Sequence, residues 1–441
     1  MSIAGSQQRT LLELLAQLRP HWRRDRNLPA RIQNSLARQR AFGARDRRLY
    51  RELIYTTLRY LPWVEAELDR DADSAVQLIA WLAADSRVTE RFRAAFASDW
   101  PVCPPSVREK KEIVTGRLSQ ATAFSRLAAE PATSLLPDWF HEHCPAAFAS
   151  HEVDALLARA PLWIRIQTSD TAPIIAEFAQ LGWRWTADDT LSSAWRLEDQ
   201  VNVTKTRVFE TGLIEVQDLG SQLLLESCGI APGARWLDAC AGAGGKTLQL
   251  AALLGPNGQI DASDIRTDAL RELAVRATRA GIVVSHNASR TRDDEHRHLS
   301  GNAKAAHFAP LRILTTAADS VYDGVLVDAP CSGSGTWRRA PHLKWTTTPS
   351  HIEAAATKQR QLLAGFSDRV RTGGQLIYAT CSLSRLENED VVRAFLSTHA
   401  DFAIERPRKS FRASQSEFGL IFLPSQHDTD GFFVSCLRRR A

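Results

Sequence analysis

The sequence lacks the marks of membrane, secreted and metal-stabilised proteins. No apolar run in its 441 residues approaches the ~20 residues of a membrane-spanning helix. The N-terminus, MSIAGSQQRT, shows no charged-then-apolar signal sequence. The seven cysteines form no C-x-x-C pair and no regular framework, which argues against structural zinc and disulfides. We therefore expect a monomer of the reducing cytoplasm, with no membrane partner and no bound metal.

Positive charge is concentrated near the N-terminus. Residues 1–60 hold 13 Arg against 4 Asp or Glu, a balance of +9, whereas the whole chain has a net charge of only +5. A basic stretch of this size can track nucleic-acid phosphates. The chain as a whole, however, has 47 Arg and 8 Lys, so the local excess could equally reflect a genome rich in Arg codons. Both interpretations stay open.

The length of the chain and the changes in its apolar pattern predict three domains. Residues 1–145 are expected to be helical, since apolar residues in the segment 44–61 recur at three- and four-residue steps. Residues 146–215 alternate short strands with one helix and predict a small α+β unit. Residues 216–441 alternate buried strands with helices, which indicates an α/β domain with a mostly parallel, Rossmann-like sheet. Residues 285–309 are polar and His-rich without a period, so we expect a long, mobile surface loop there.

A helix over VQDLGSQLLLESCGI is expected to lead into the α/β domain. The predicted strands of that domain are ARWLDAC, QIDASDI, LRILTTA, DGVLVDAP and GGQLIYATCS, followed by a closing hairpin of LIFLP and GFFVSCLR. In an open parallel sheet the carboxyl ends of the strands form one rim, and ligands bind there. The residues that follow these strands are therefore the candidates for chemistry.

The glycine-rich turn in WLDACAGAGGKTLQL is expected to bind a cofactor. A Walker A loop requires Gly at the position of Cys240, and a dinucleotide fingerprint requires a third Gly where Thr247 stands. Bare backbone at a helix N-terminus instead suits a carboxylate such as that of methionine. Asp264, at the end of the next strand, can accept hydrogen bonds from both hydroxyls of a ribose. The combination favours an adenosyl ligand without phosphates, the alternative being a structural turn with a capping Asp.

Two further motifs place cysteines directly after strands. DGVLVDAPCSGSG carries Asp328 and Cys331, and GGQLIYATCSLS carries Cys381. A buried cysteine is usually a small hydrophobic residue. That default is expected for three of the other cysteines, Cys103, Cys144 and Cys436. It fits Cys331 and Cys381 less well, because both stand in turns where the apolar strand has ended.

Paired thiols at one rim suit methylation of cytosine at carbon 5. Carbon 5 is a poor nucleophile until a thiolate adds to carbon 6 and turns the ring into an enamine. An acid near ring nitrogen 3 assists the addition, and Asp328 is the nearest candidate. A base must afterwards remove the carbon 5 proton so that the first thiolate can leave, and the second cysteine can serve there. The target base must be unpaired or flipped out of a helix.

The motifs VQDLGSQL, DACAGAGGKT, LVDAPCSGSG, IYATCSLSRLENE and HDTDGFF occur in an order that resembles the Nop/Sun (RsmB-like) family of RNA cytosine-5 methyltransferases. The resemblance covers roughly residues 135–441. It implies a class I methyltransferase fold, S-adenosyl-L-methionine as cofactor and RNA, specifically 16S rRNA, as substrate. It also implies that Cys381 is the nucleophile, that Cys331 assists product release and that Asp328 lies near the cytosine. The cofactor-binding residues that it implies are Cys240, Ala241, Gly242, Ala243, Gly244, Gly245, Lys246, Asp264, Asp319 and Asp328.

The sequence departs from the family pattern in three places. The family usually has Ala-Pro-Gly-Gly-Lys where residues 242–246 read Gly-Ala-Gly-Gly-Lys, and the insertion at 285–309 precedes Asp319. Residues 1–145 only loosely resemble the NusB-like RNA-binding domain of the family. Two alternatives stay open: a tRNA or other rRNA cytosine-5 methyltransferase, or an RNA-binding ribosome-assembly factor without catalysis. The second would be expected to lack a motif residue such as Cys381 or Asp264, and both are present.

Overall fold

The chain forms two compact units. The computed structural model describes residues 2–118, 132–198, 201–286, 307–314 and 320–440. The first unit comprises residues 1–160 and 332–352, and the second comprises residues 161–331 and 353–441. The boundaries near residues 145 and 215 that the sequence indicated stay a prediction.

The first unit is helical, as predicted, because its segments carry apolar residues at helical spacing. In the helix Ala44–Arg59, the side chains of Leu49, Leu53 and Leu58 are buried together, which confirms the predicted face. Asp71 caps the helix Ala72–Leu82, since its carboxylate accepts hydrogen bonds from two backbone amides of the first turn. The described helices are Ile3–Leu18, Leu28–Arg38, Ala44–Arg59, Leu61–Arg70, Ala72–Leu82, Glu90–Phe96, Val107–Leu118, Ser150–Leu157 and Leu343–Thr346.

Residues 332–352 belong to this helical unit although they interrupt the α/β domain in sequence. The Nζ of Lys344 donates to the carbonyl of Arg59 at 2.8 Å, and the indole nitrogen of Trp345 donates to the carbonyl of Leu58 at 2.6 Å. The guanidinium of Arg59 in turn donates to the carbonyl of Arg338 at 3.0 Å. These bonds satisfy carbonyls near the end of the helix Ala44–Arg59. No pattern in the sequence indicated this assignment.

A four-stranded antiparallel sheet opens the second unit. Its strands are β1 (Leu162–Ile166), β2 (Trp185–Ala187), β3 (Ala194–Leu197) and β4 (Ile214–Val216), in the order β2-β3-β1-β4. The helices between them are Ala172–Gln180 and Arg207–Glu210. The predicted α+β unit is thus confirmed, but the predicted start of the following helix is wrong. Val216 ends β4 and Asp218 caps a helix that begins at Leu219, since the carboxylate of Asp218 accepts from the amide of Gly220.

The larger sheet has a parallel half and an antiparallel half. Its strands are β5 (Arg235–Asp238), β6 (Gln259–Ala262), β7 (Val284–His286), β8 (Leu311–Ile313), β9 (Tyr322–Asp328), β10 (Val370–Thr380), β11 (Phe402–Ile404), β12 (Ser414–Gln415), β13 (Leu420–Phe422) and β14 (Phe432–Arg439). The order is β12-β13-β14-β10-β9-β5-β6-β8-β7, with β11 also paired to β14. The strands from β10 to β7 run parallel, and β14 pairs antiparallel with both β10 and β13. The predicted Rossmann-like sheet and its closing hairpin are confirmed.

Helices connect the strands of this sheet. They are Leu219–Ser227, Gly245–Leu254, Thr267–Arg279, Pro349–Ser367, Glu389–Thr398 and Pro424–His427. Nowhere in the described part of the chain does a helix combine the length and the apolar character that crossing a bilayer requires.

The predicted loop 285–309 is wrong at its start. Ser285 and His286 belong to β7, which pairs with β8 at the edge of the sheet. An edge strand needs no continuous apolar run, so its polar residues resemble a loop in the sequence. The prediction is also wrong at the end of the segment, where Phe308 and Ala309 are buried in the core. Residues 287–306 lie outside the described residues.

The first unit generates a prediction about its exposed arginines. Arg24, Arg38, Arg40 and Arg45 are exposed, so their guanidinium groups are available for phosphates. Replacing all four by Gln should weaken RNA binding and reduce the slope of log K against log salt by about 1 for each phosphate that is no longer neutralised. The same four positions changed to Lys keep their charge and should keep the slope. Equal slopes for the Gln variant and the unmodified protein would leave codon usage as the explanation of the Arg excess.

Candidate active site

The two cysteine turns meet because their strands are parallel neighbours in register. On β9 and β10, Asp328 lies opposite Ala379, so both strands end at the same level of the sheet. Cys331 follows three residues after Asp328, and Cys381 follows two residues after Ala379. Their Sγ atoms are 3.3 Å apart. The prediction that both thiols share one rim therefore describes the observed geometry.

The turn that carries Cys381 is held on both sides of the cysteine. Before it, the hydroxyl of Thr380 donates to Oδ1 of Asn388 at 2.6 Å. After it, the carbonyl of Ser382 accepts from Nδ2 of Asn388 at 2.9 Å, and the Ser382 hydroxyl donates to Oε2 of Glu387 at 2.6 Å. The four partners are buried. Because buried hydrogen bonds are costly to break, these bonds hold the backbone on both sides of Cys381 in place at the rim.

Lys246 and Asp328 form an ion pair close to the thiols. Nζ of Lys246 lies 2.8 Å from Oδ2 of Asp328 and over the ring of Phe432 at 5.6 Å. Burial by itself lowers the pKa of Lys246, but the interactions with Asp328 and with Cys381 outweigh it and raise the pKa above its usual value. The lysine thus stays protonated, and an ammonium near a thiol favours the thiolate.

The glycine-rich turn leaves bare backbone at the start of the helix Gly245–Leu254. Gly244 has a φ of +88°, and a side chain there would strike Leu273, with Cβ only 2.2 Å from Cδ1. Gly242 also has a positive φ, +53°, at a position where the family usually has alanine. A Cβ built on Gly245 would meet no atom within 4 Å, so space is open beside the first amides of the helix. This is the geometry that an anionic group at a helix N-terminus requires.

Asp264 reaches this turn from the end of β6. Its carboxylate accepts from the amide of Gly242 at 2.8 Å and from the amide of Arg266 at 2.8 Å. Burial raises the pKa of Asp264, but the bonds from Arg266 and Gly242 outweigh burial and hold the pKa below its usual value. A carboxylate that stays ionised at the strand end fits the predicted acceptor of ribose hydroxyls. The turn and Asp264 together fit an adenosyl methyl donor.

Cys240 and Asp238 lie beneath the turn, and burial raises the pKa of both side chains. Burial, with the neighbouring carboxylates Asp238, Asp328 and Asp264, raises the pKa of the Cys240 thiol to about 12. Burial likewise raises the pKa of Asp238 to about 7, although Thr247 donates to its Oδ2 at 2.7 Å. A thiol that is protonated at neutral pH is a poor nucleophile, which leaves Cys331 and Cys381 as the candidates at the rim.

The structure brings most of the predicted site residues to one edge of the sheet. Asp319 is the exception, since it lies outside the described residues. Away from the site, Cys144 and Cys436 are buried and Cys103 is half-buried. The sequence reasoning missed Glu387 and Asn388, which hold the Cys381 turn. Both stand in the motif IYATCSLSRLENE, which carries part of the family resemblance, so the signal was present without a role attached to it.

The chain is similar in sequence to known rRNA methyltransferases. A model of the family described as "16S rRNA methyltransferase RsmB/F" matches residues 229–438. The ribosomal RNA small subunit methyltransferase B of Xanthomonas campestris pv. campestris is 29% identical over 414 residues, which is 89% of both chains. The probable ribosomal RNA small subunit methyltransferase B of Synechocystis sp. is 30% identical over 315 residues, 69% of this chain and 66% of the relative.

A solved structure shows the same fold. The crystal structure of NSun6 from Pyrococcus horikoshii with SFG superposes with a TM-score of 0.57 at 19% identity. The match covers 69% of this chain and 98% of that one. The class I methyltransferase fold that the sequence predicted is therefore confirmed.

Asp238 generates a prediction about stability and pH. The unfolded chain releases the Asp238 proton near pH 4, whereas the folded protein keeps it until about pH 7 because of burial. At Asp238 the folded state thus binds more protons between these values, so the contribution of this residue to the free energy of unfolding should fall as the pH rises from 4 to 7. Asp238→Asn keeps the acceptor for Thr247 but cannot ionise. Relative to the natural protein, it should gain up to about 4 kcal/mol over this range.

Urea denaturation of both proteins at pH 4.5 and pH 7.5 measures this difference. Groups distant from residue 238 titrate alike in the two proteins, so subtracting one free energy from the other removes their contribution. A difference that does not change with pH would show that Asp238 is already ionised in the folded protein.

Proposed function

Because this chain belongs to the RsmB/F family of methyltransferases, we propose that it methylates carbon 5 of a cytosine in 16S rRNA, in the cytoplasm, with Cys381 as the covalent nucleophile. The observation that carries the proposal is the pair of thiols 3.3 Å apart at the carboxyl edge of the sheet. We propose small-subunit rRNA as the substrate because the relatives that match about nine tenths of this chain are named ribosomal RNA small subunit methyltransferase B.

S-adenosylmethionine is the proposed cofactor, and when bound it supplies a methyl group on a positively charged sulfur. The open backbone at Gly245 would receive its methionine carboxylate, and Asp264 would accept from its ribose hydroxyls. The solved NSun6 structure carries SFG, an analogue of this cofactor, on the same fold. Cys240 stays a protonated lining residue of this pocket.

Cys381 would begin the reaction by adding its thiolate to carbon 6 of the cytosine. The new bond takes the electron pair of the thiolate, and the ring electrons move toward nitrogen 3, which must gain a proton. Asp328 lies at the same rim, and the ammonium of Lys246 is 2.8 Å from its carboxylate. The pair can therefore bring a proton to nitrogen 3 and stabilise the thiolate before attack. Carbon 5 then carries enamine electron density and can accept the methyl group.

Cys331 would complete the reaction by accepting the proton from carbon 5. Loss of that proton sends its electron pair into the ring, and the bond between Sγ of Cys381 and carbon 6 breaks. Because the two sulfurs are 3.3 Å apart, a base at Cys331 lies next to the atom that departs. Product release would thus depend on Cys331, whereas attack would not.

The cofactor assignment predicts a loss of affinity in Asp264→Ala. Removing two charge-assisted hydrogen bonds costs a few kcal/mol, so S-adenosylmethionine should bind at least about tenfold more weakly in calorimetry. Asp268→Ala is the matched control, since that carboxylate starts the next helix and its side chain is 90% exposed. The two variants should differ clearly in affinity. An unchanged affinity in Asp264→Ala would remove this residue from the pocket.

The cysteine assignment predicts opposite behaviour for two alanine variants. Cys381→Ala should be inactive and form no covalent RNA complex, because no thiolate reaches carbon 6. Cys331→Ala should accumulate an RNA–protein complex that survives a denaturing gel, because methyl transfer proceeds and elimination stalls. Cys436→Ala, at a buried cysteine away from the rim, controls for loss of a thiol as such. The reversed pattern, with an adduct in Cys381→Ala alone, would refute the assignment.

A further inference from the structure

One buried side chain, Gln359, connects the two cysteine turns. Its Nε2 donates to the carbonyl of Pro330 at 3.0 Å, and Pro330 directly precedes Cys331. The same Nε2 donates to Oε1 of Glu387 at 3.1 Å. Glu387 is the residue whose other oxygen accepts from Ser382, directly after Cys381.

The chemistry of these partners fixes the orientation of the amide. A carbonyl oxygen and a carboxylate oxygen are both acceptors, so only the nitrogen of Gln359 can face them. Gln359 has both amide hydrogens engaged and is fully buried, as is Glu387. Its Oε1 is buried without a hydrogen-bond partner among the described residues. Burying an amide oxygen without a hydrogen-bond partner costs free energy. We infer that glutamine stands here because its amide nitrogen supplies two donors.

We propose that Gln359 is a positioning residue that sets the distance between the Cys331 and Cys381 thiols. Strand pairing aligns β9 with β10 only as far as Asp328 and Ala379, and both cysteines lie beyond that point. The path from Pro330 through Gln359 and Glu387 to Ser382 then joins the two turns by side chains. Gln359 acts on the reaction only through the cysteines. The effect that we assign to this positioning, timely release of the product, rests on the proposed function.

The strand β10 offers a matched control for this role. Gln375 is also buried, and its Nε2 donates to a backbone carbonyl, that of Cys228, and to a carboxylate, that of Glu405. It lies five residues before the end of β10, about 17 Å along the strand from the cysteine turns. Gln375→Leu therefore removes the same kind of bridge from the same unit of the chain without touching either turn.

The distance between the thiols can be measured without catalysis. Glutathione disulfide takes up two electrons and two protons when it oxidises Cys331 and Cys381 to a disulfide, and the equilibrium reports their effective concentration. Peptide mass spectrometry identifies that particular disulfide. Gln359→Leu should lower the effective concentration at least about tenfold, whereas Gln375→Leu should leave it within about twofold. Gln359→Asn, whose shorter side chain cannot reach both acceptors, should show a smaller loss in the same direction.

Exchanging the two side chains separates positioning from stability. In the double variant Gln359→Glu with Glu387→Gln, the new amide at 387 can donate to the new carboxylate at 359, which restores that bond. The new carboxyl group faces the carbonyl of Pro330 and can donate to it only when it is protonated, a form that burial favours, so the comparison is made well above neutral pH, where it is ionised. The exchange should therefore recover resistance to urea relative to Gln359→Leu, and the effective concentration of the thiols should stay low.

The RNA assay distinguishes this inference from the proposed function. If both hold, Gln359→Leu should accumulate a covalent RNA complex as Cys331→Ala does, and Gln375→Leu should not. A lower effective concentration without an adduct in any variant would support the positioning role and contradict the assigned roles of the cysteines. An unchanged effective concentration in Gln359→Leu and Gln359→Asn, or an equal fall in Gln375→Leu, would overturn the positioning role.

Discussion

The parallel pairing of β9 with β10 is the constraint on which the site depends. It places Asp328 beside Ala379 and so brings two turns, far apart in sequence, to the same level of the sheet. A slip of one residue would move one of the cysteine turns by about 3.3 Å along the strand. It would also place the side chains of each strand face on the opposite face of the sheet. The buried apolar residues of β9 and β10 resist such a slip, because their side chains pack into the core on both faces. The chemistry therefore depends first on the register of an apolar core.

Three carboxyl groups of this rim have different surroundings. Asp238 is buried beneath the turn and keeps its proton to about pH 7. Asp264 receives amide and guanidinium donors and stays ionised. Asp328 is paired with the ammonium of Lys246. Burial and hydrogen bonding thus shift the pKa of Asp238 and that of Asp264 in opposite directions, although both residues lie beside the same turn.

Much of the fold could be predicted from the sequence because its signals are local. A pattern of about ten residues is enough to predict each apolar strand and the glycine-rich turn. The strands predicted in this way end at Asp238, Asp328 and Thr380. The bridge from Pro330 to Glu387 could not be predicted, because a glutamine in the middle of a helix carries no local mark of its partners. For the same reason, the sequence did not predict that residues 332–352 belong to the helical unit. The hydrogen bonds of this segment are made to Leu58 and Arg59, which are far away in the sequence. The polar edge strand β7 shows the converse, a regular element without the expected apolar pattern.

The identity of the nucleophile is the central claim, and trapping with fluorinated RNA tests it most directly. In 5-fluorocytosine the fluorine at carbon 5 cannot leave as a proton does, so the adduct at carbon 6 persists after methyl transfer. The natural protein, incubated with 16S rRNA containing this base and S-adenosylmethionine, should give one cross-linked peptide in mass spectrometry. We expect the RNA to be attached at Cys381, in the tryptic peptide of residues 372–385. Attachment at Cys331, or no cross-link with a protein that methylates unmodified RNA, would contradict it.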